Sequence, residues 1–281
     1  MSQLYVGVVR WVVQDIGYLN TFWAWANHRG EAIHRMLGAA KRQKIHNPLV
    51  NRLDPFDPEN LRADVLTDDY GITFYSEKAY SFVPGYSYKF PYGIVPSCIE
   101  GDNEPDDIEP GWNVSVNADG LLDLTAVVEA KELLEIYGHL ISLLPSIRVF
   151  WIRIVEDWEK YGQEQIFANE SLNTPQLILD FIKGHSIDIL QNGHLVLTCF
   201  SDVGATNLNL SDHKYIEALS YDKDVIAKLC LHLNDCGIGK LDDLLTINDR
   251  IHHWHYRHPA GKGRTDLINM LQNEGFVERF L

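Results

Sequence analysis

The stretch ATNLNLSDHKYIEALS, Ala205 to Ser220, decides the fold class. Leu208 and Leu210 alternate with Asn207 and Asn209, a period of two that puts apolar side chains on one face of a strand. Just before it, IDILQNGHLVLTCF (187–200) carries Asn192-Gly193 between two apolar runs, the pattern of a β-hairpin turn. Just after it, DKDVIAKLCLHLNDCGI (222–238) is an amphipathic helix, with Val225, Ile226, Leu229 and Leu233 on one stripe and Gly237 as its stop. Strands that follow one another without a crossover helix pair antiparallel. The rhythm is not the regular β–α alternation of a parallel sheet, so the expected class is α+β, mainly antiparallel strands with packed helices.

Working outward, TPQLILDFIKG gives a helix with Thr174 as N-cap, Pro175 at its first position and Gly184 at its end. TDLINMLQNEG closes the chain with a short helix between Thr265 and Gly275. In the first half, residues 4–14 read as a strand. Phe22, Trp23, Trp25, Ala26, Ile33, Met36 and Leu37 suggest a helix from about Asn20 to Ala40. Aromatic strands follow over 71–95, turning at Pro84-Gly85, and WNVSVNADG adds a strand and turn. Helical periodicity runs through Leu124, Val127, Val128, Leu134, Ile136, Tyr137 and Leu140 to Pro145, and IRVFWIRIVEDW is another strand. A polar stretch near 158–172 divides the chain into two expected α+β modules, 1–160 and 170–281.

Net charge is −15, from 24 basic and 39 acidic residues. Such a field repels a phosphate backbone, so nucleic acid is not the expected partner, whereas a cationic protein is. The basic run from Arg29 to Arg52 reads as a solvated helix face paired with the protein's own acids. No apolar run nears the roughly 18 residues of a membrane span. The N-terminus lacks a basic region and a cleavage site, so neither membrane nor export is expected. Cys98, Cys199, Cys230 and Cys236 are scattered without CxxC spacing, which fits free thiols in a reducing cytoplasm.

Chemistry concentrates in RIHHWHYRHPAGKGR, 250–264. On a strand, His253 and His255 share a face with Ile251 and Arg257, while His252, Trp254 and Tyr256 take the other. Two imidazoles two residues apart are a two-ligand metal fragment, and zinc needs a third from elsewhere: Asp249, His213, His232 or Asp212. The ordinary alternative is a half-buried sheet surface whose imidazoles are satisfied by backbone or carboxylate groups. Arg257 beside the pair opposes a dication. Lys262, Arg264 and the flanking glycines could bind an anion at a helix start, but GKGRT is neither a P-loop nor a dinucleotide fingerprint. Ser211, Asp212 and His213 are adjacent in sequence and cannot form a catalytic triad. No GxSxG, HExxH or calcium-loop pattern appears, and no cofactor is expected. The acidic run IEGDNEPDDIEP offers Glu100, Asp102, Glu104, Asp106, Asp107 and Glu109 to a basic partner.

The features ATNLNLSDHKYIEALS, a helix ending DCGI, HHWHYRHP and RTDLINMLQNEGF resemble, over residues 174–281, the polymorphic-toxin immunity proteins of bacteria. The resemblance implies a cytoplasmic, non-catalytic protein that binds and neutralises a cognate toxin, and no functional residue is carried over. Acidity would suit a basic toxin domain, since complementary fields speed encounter. On this reading Glu100, Asp102, Glu104, Asp106, Asp107, Glu109, His253, Trp254, His255 and Tyr256 are the candidate partner-binding residues. The alternative expectation is a metal-dependent hydrolase built on His253 and His255.

Overall fold

Antiparallel pairing organises the whole chain. The computed structural model describes all residues except 1, 14–15, 47, 62–64, 69–70, 78, 83–87, 97–106, 156–162, 250, 252, 259 and 280–281, and gives no side chains for 16, 51–52 and 80–82. Six helices and sixteen strands occur among the described residues, as expected for α+β. The chain forms two compact units, Met1–Gly85 and Tyr86–Leu281.

In the first unit β1 (Gln3–Val13) pairs with β2 (Ile16–Ala26), then α1 (Arg29–Arg42) leads to β3 (Leu49–Pro55), β4 (Val65–Thr67), β5 (Thr73–Ser76) and β6 (Tyr80–Phe82). The sheet order is β3-β1-β2-β5-β4, with β6 also on β2. The first third of the expected helix over Asn20–Ala40 is therefore strand, up to Ala26. Gln3 to Val13 offer Phe22, Ala24 and Ala26 an eleven-residue partner, and that nonlocal ladder overrides the local period. The helix starts only at Arg29. His28 Nδ1 accepts from Glu31 N–H at 3.2 Å while the Glu31 carboxylate accepts from Asn27 N–H at 2.8 Å, a reciprocal cap. Ala32, Met36, Ala39 and Ala40 then close over Tyr5, Val9 and Phe22. The basic face of α1 pairs internally, Arg35 with Glu31 and Arg42 with the buried Asp68.

In the second unit β7 (Ile94–Pro96) precedes β8 (Gly111–Val116), β9 (Leu122–Val127), α2 (Leu133–Leu143), β10 (Val149–Ile154) and β11 (Gln165–Asn169). There follow α3 (Pro175–Gly184), α4 (Ser186–Ile189), β12 (Leu195–Ser201), β13 (Thr206–Leu210), β14 (Ile216–Ser220), α5 (Lys223–Asp235), β15 (His253–His255), α6 (Arg264–Asn273) and β16 (Val277–Arg279). Eight strands make one antiparallel sheet, β16-β11-β10-β12-β13-β14-β9-β8. Its inward residues, among them Leu124, Phe150, Ile152, Leu197, Leu208 and Ile216, share one core with the buried stripes of α2, α3, α5 and α6. The opposite face carries a polar ladder: Thr198 donates to Asn209 Oδ1 and Asn209 donates to Glu217, each at 2.8 Å.

Three further readings differ from the structure. The division falls between Gly85 and Tyr86, not near 158–172, because the strands on either side of that polar stretch, β10 and β11, are neighbours in one sheet. Residues 122–127 are a strand, not the start of a helix, since β14 pairs with 122–126 from Ser220 to Ile216 and β8 pairs along the other side to Val127. Asn192-Gly193 is not a hairpin turn: the segment before it is the helical turn α4, whose carbonyls from His185 and Ser186 accept the bonds a strand would need. The turn Pro84-Gly85 lies outside the described residues.

Candidate metal centre

Two segments of the second unit bring the site together. The first is the turn between β13 and β14. It closes through Ser211 N–H on Tyr215 O and Lys214 N–H on Ser211 O, both 3.0 Å. Lys214 takes a left-handed φ of 63° there, a conformation that costs a non-glycine residue about 1 kcal/mol or more. The second is β15, which pairs with β7 so that His253 faces Pro96 and His255 faces Ile94. Alternation then works as expected: Trp254 and Tyr256 are buried, and His253 and His255 look out of the same face.

That face meets His213. Ring centroids lie 4.9 Å apart for His213 and His253, 4.6 Å for His213 and His255, and 5.3 Å for His253 and His255. One ligand nitrogen of each lies within 4.8 Å of the other two. Three imidazoles radiating from one tetrahedral zinc, at the usual ~2.0–2.1 Å bond length, have centroids about 5 Å apart and nitrogens about 3.4 Å apart. The rings already have that spacing, and the nitrogens, within 4.8 Å of one another, stand wider than in a filled shell.

Hydrogen bonds fix the tautomers. His253 Nδ1 sits 2.7 Å from Ile251 O, His255 Nδ1 bonds Gly193 O, and His213 Nδ1 lies 3.0 Å from Asp212 Oδ1. A carbonyl or a carboxylate only accepts, so each Nδ1 carries a proton, and in the neutral ring the lone pair is then on Nε2. This is how metal-ligating histidines are oriented by the groups behind them. The second Asp212 oxygen lies 3.8 Å from His255 Nδ1, close enough for electrostatic attraction but not for a hydrogen bond. Burial raises its carboxyl, but the hydrogen bond and charge of His213, with His255 and Lys214, outweigh that and hold it at about 2. His255 is pushed down to about 4, by burial first and by the neighbouring His213 and His253, against the pull of Asp212. It is neutral at pH 7, as a ligand must be.

A close backbone seam holds the site. Tyr256 N–H donates to Gly93 O at 2.8 Å and Gly193 N–H donates to Tyr256 O at 2.9 Å. A Cβ on Gly193 would stand 1.9 Å from Gly93 O, so neither side chain nor bulge fits between the loops. Lys214, 1% exposed, threads beneath them and donates from Nζ to Asn192 O at 2.6 Å. Desolvation pushes its ammonium down to about 8, against the pull of Asp212. Beside the turn a polar cleft of about 340 Å³ opens, lined by Asn113, Asp123, Glu217 and Tyr215 among others, and Tyr215 stacks on His213 at 6.3 Å.

Of the third ligands considered, the fold selects His213. Asp212 stands behind it, Asp249 accepts from Thr246 N–H and Oγ1–H, and His232 lies on α5 among other residues. The Arg257 guanidinium, expected to oppose a dication, bonds the carbonyls of His258 and Gly261. The glycine loop is not an open anion cradle, because Asp188 fills it, accepting from Lys262 N–H and Nζ at 2.7 Å each. Arg264 turns away to Gln163 O and Gln165 Oε1.

Among the partner-binding candidates, Asp107 and Glu109 are exposed, His253 and His255 are half-buried, and Trp254 and Tyr256 belong to the interior. Glu100, Asp102, Glu104 and Asp106 lie outside the described residues. Sequence reasoning missed Gly93, Gly193 and Lys214, whose roles depend on loops far apart in the chain. No helix among the described residues is long and apolar enough to cross a membrane. The chain matches no protein-family model, no curated protein and no solved structure.

Proposed function

We propose that the chain is a metal-dependent enzyme of the hydrolytic class, with a zinc-type dication held by His213, His253 and His255. The observation that carries this reading is the triple tautomer lock: three rings at ligand spacing, each with Nδ1 committed to an oxygen. Three protein nitrogens leave a tetrahedral ion one open position, the arrangement of catalytic rather than structural zinc sites. A bound ion would supply Lewis acidity and bring the pKa of a water near neutrality. Asp212 orients His213, Gly193 O orients His255, and the Asp212 carboxylate would offset the ion's charge. The polar cleft alongside gives a substrate room, with Tyr215 between it and His213.

The other expectation, a cytoplasmic protein that neutralises a basic toxin, draws on the net charge of −15 and the exposed Asp107 and Glu109. Two of its expected anchors, Trp254 and Tyr256, are interior residues. The site geometry favours the metal reading.

The test is zinc titration into chelator-stripped protein, followed by assay on activated esters and phosphodiesters. The wild type should bind one equivalent more zinc than His213→Ala, and turnover should disappear with that equivalent. Equal stoichiometry in the two proteins refutes the centre. Full binding without turnover refutes the hydrolase and leaves a metal-binding protein.

A further inference from the structure

A second set of ligands lies on the helical side of the same unit. The helices α2 and α5 pack through Ile136, Tyr137 and Leu140 on one and Val225, Ile226, Leu229 and Leu233 on the other, all in one core. The helical period that buries those residues leaves His139 and His232 at the margin of the seam, their rings 5.2 Å apart and perpendicular. One turn beyond His232, at the C-terminal cap of α5, stands Cys236, its Sγ 3.4 Å from His232 Nε2. Ligand atoms of His139, His232 and Cys236 all lie within 4.8 Å of one another.

We infer that His139, His232 and Cys236 form a second, thiolate-containing site for a zinc-class dication that clamps the end of α5 to α2. Four observations bear on it. The residues are two imidazoles and a sulfur, the ligand types zinc prefers, and they come from two elements rather than one. His232 and Cys236 are four residues apart on one helix, a spacing that points both side chains the same way. The surroundings are anionic: Glu135, Asp235 and Glu132 act electrostatically on the Cys236 thiol, which repels a thiolate but attracts a dication. The α5 C-terminus adds the negative end of the helix dipole. Water would take the fourth tetrahedral position. On binding, the Cys236 S–H proton passes to solvent as the sulfur–metal bond forms, with no change of oxidation state.

This site does not depend on the histidine centre, and its sulfur gives it a separate signature. Cobalt(II) titrated into reduced, chelator-stripped full-length protein should produce a near-ultraviolet sulfur-to-cobalt charge-transfer band, which saturates at one equivalent in His213→Ala. Cys236→Ser should abolish the band. His139→Ala should weaken cobalt binding at this site at least tenfold, whereas His213→Ala, which removes a nitrogen ligand elsewhere, should leave the band intact. No band in the wild type, a band that survives Cys236→Ser, or a band unaffected by His139→Ala would each overturn the inference. His139 and Cys236 are exposed, so both variants should keep the apo thermal midpoint of the wild type.

Discussion

The seam between Gly93 and Gly193 joins fold and site, and Gly193→Ala probes both at once. The added Cβ would lie 1.9 Å from Gly93 O and 2.7 Å from Gly93 C. Both are backbone atoms, so no rotamer change relieves the overlap and the loops must separate by about 1 Å. At that separation the bonds Tyr256 N–H to Gly93 O (2.8 Å) and Gly193 N–H to Tyr256 O (2.9 Å) are lost or badly stretched. Two hydrogen bonds at about 1 kcal/mol each, with overpacking strain of about 1–3 kcal/mol, give a destabilisation of about 4 kcal/mol. For a unit of this size that lowers the thermal midpoint by roughly 8–16 °C. Because Gly193 O also holds His255 Nδ1, zinc affinity should fall about 10–100-fold. Circular dichroism melting and calorimetric zinc titration read the two effects. Gly184→Ala is the control, since nothing lies within 4 Å of its added Cβ and its midpoint should hold or rise. If Gly193→Ala melts within about 2 °C of wild type, the loops do not meet as described and the backbone support of His255 is disproved with them.

Asp222 caps α5 by accepting from Asp224 N–H at 2.8 Å and Val225 N–H at 3.3 Å, so Asp222→Ala should cost about 1 kcal/mol in urea unfolding. No measurable change would mean that water caps the helix as well. Asp123 has a buried Oδ1 with no hydrogen bond, and burial raises its carboxyl above the usual range. The folded state therefore holds this proton more tightly than the unfolded chain. Stability is greatest below the unfolded value and is lost as pH rises through the folded one. Asp123→Asn should accordingly raise the thermal midpoint at pH 7 and lose that advantage toward pH 4. An equal gain at both values would assign the effect to packing instead.

Elements whose signals are local could be read in advance. Thr174, Pro175 and Asp222 mark helix starts by side-chain and backbone geometry within a few residues, and α3 and α5 begin there. The alternation Asn207–Leu210 is equally local, and β13 follows it. Where the reading failed, a distant partner decided. Phe22, Trp23, Trp25 and Ala26 satisfy both a helical and a strand period, and only the eleven-residue ladder to β1 selects the strand. Leu124 and Val127 sit equally well on a helix until β14 pairs with Leu124 and β8 with Val127. The site divides in the same way. Alternation along β15 put His253 and His255 on one face, but the choice of His213 over Asp249 or His232 depends on which turn the sheet carries to that face. The support from Gly93 and Gly193 depends on two loops 100 residues apart meeting at backbone distance.

A purely structural role for the three histidines and a metal-binding role diverge at the ring atom each needs. Structure requires only Nδ1–H, which anchors His255 to Gly193 O. A metal requires Nε2. Asparagine places an N–H donor near the Nδ1 position and nothing at Nε2, so His255→Asn separates the roles. Retaining the bond to Gly193 O should keep stability within about 1 kcal/mol of wild type, with a little packing lost. Removing one of three ligands should lower zinc affinity at this centre at least as much as losing the support behind one, about 100-fold or more. His255→Gln, whose amide reaches the Nε2 position but not Gly193 O, should bind zinc weakly and be the less stable of the two. If His255→Asn instead titrates with zinc like the wild type while only stability changes, the imidazole is a packing group and the centre is not a metal site.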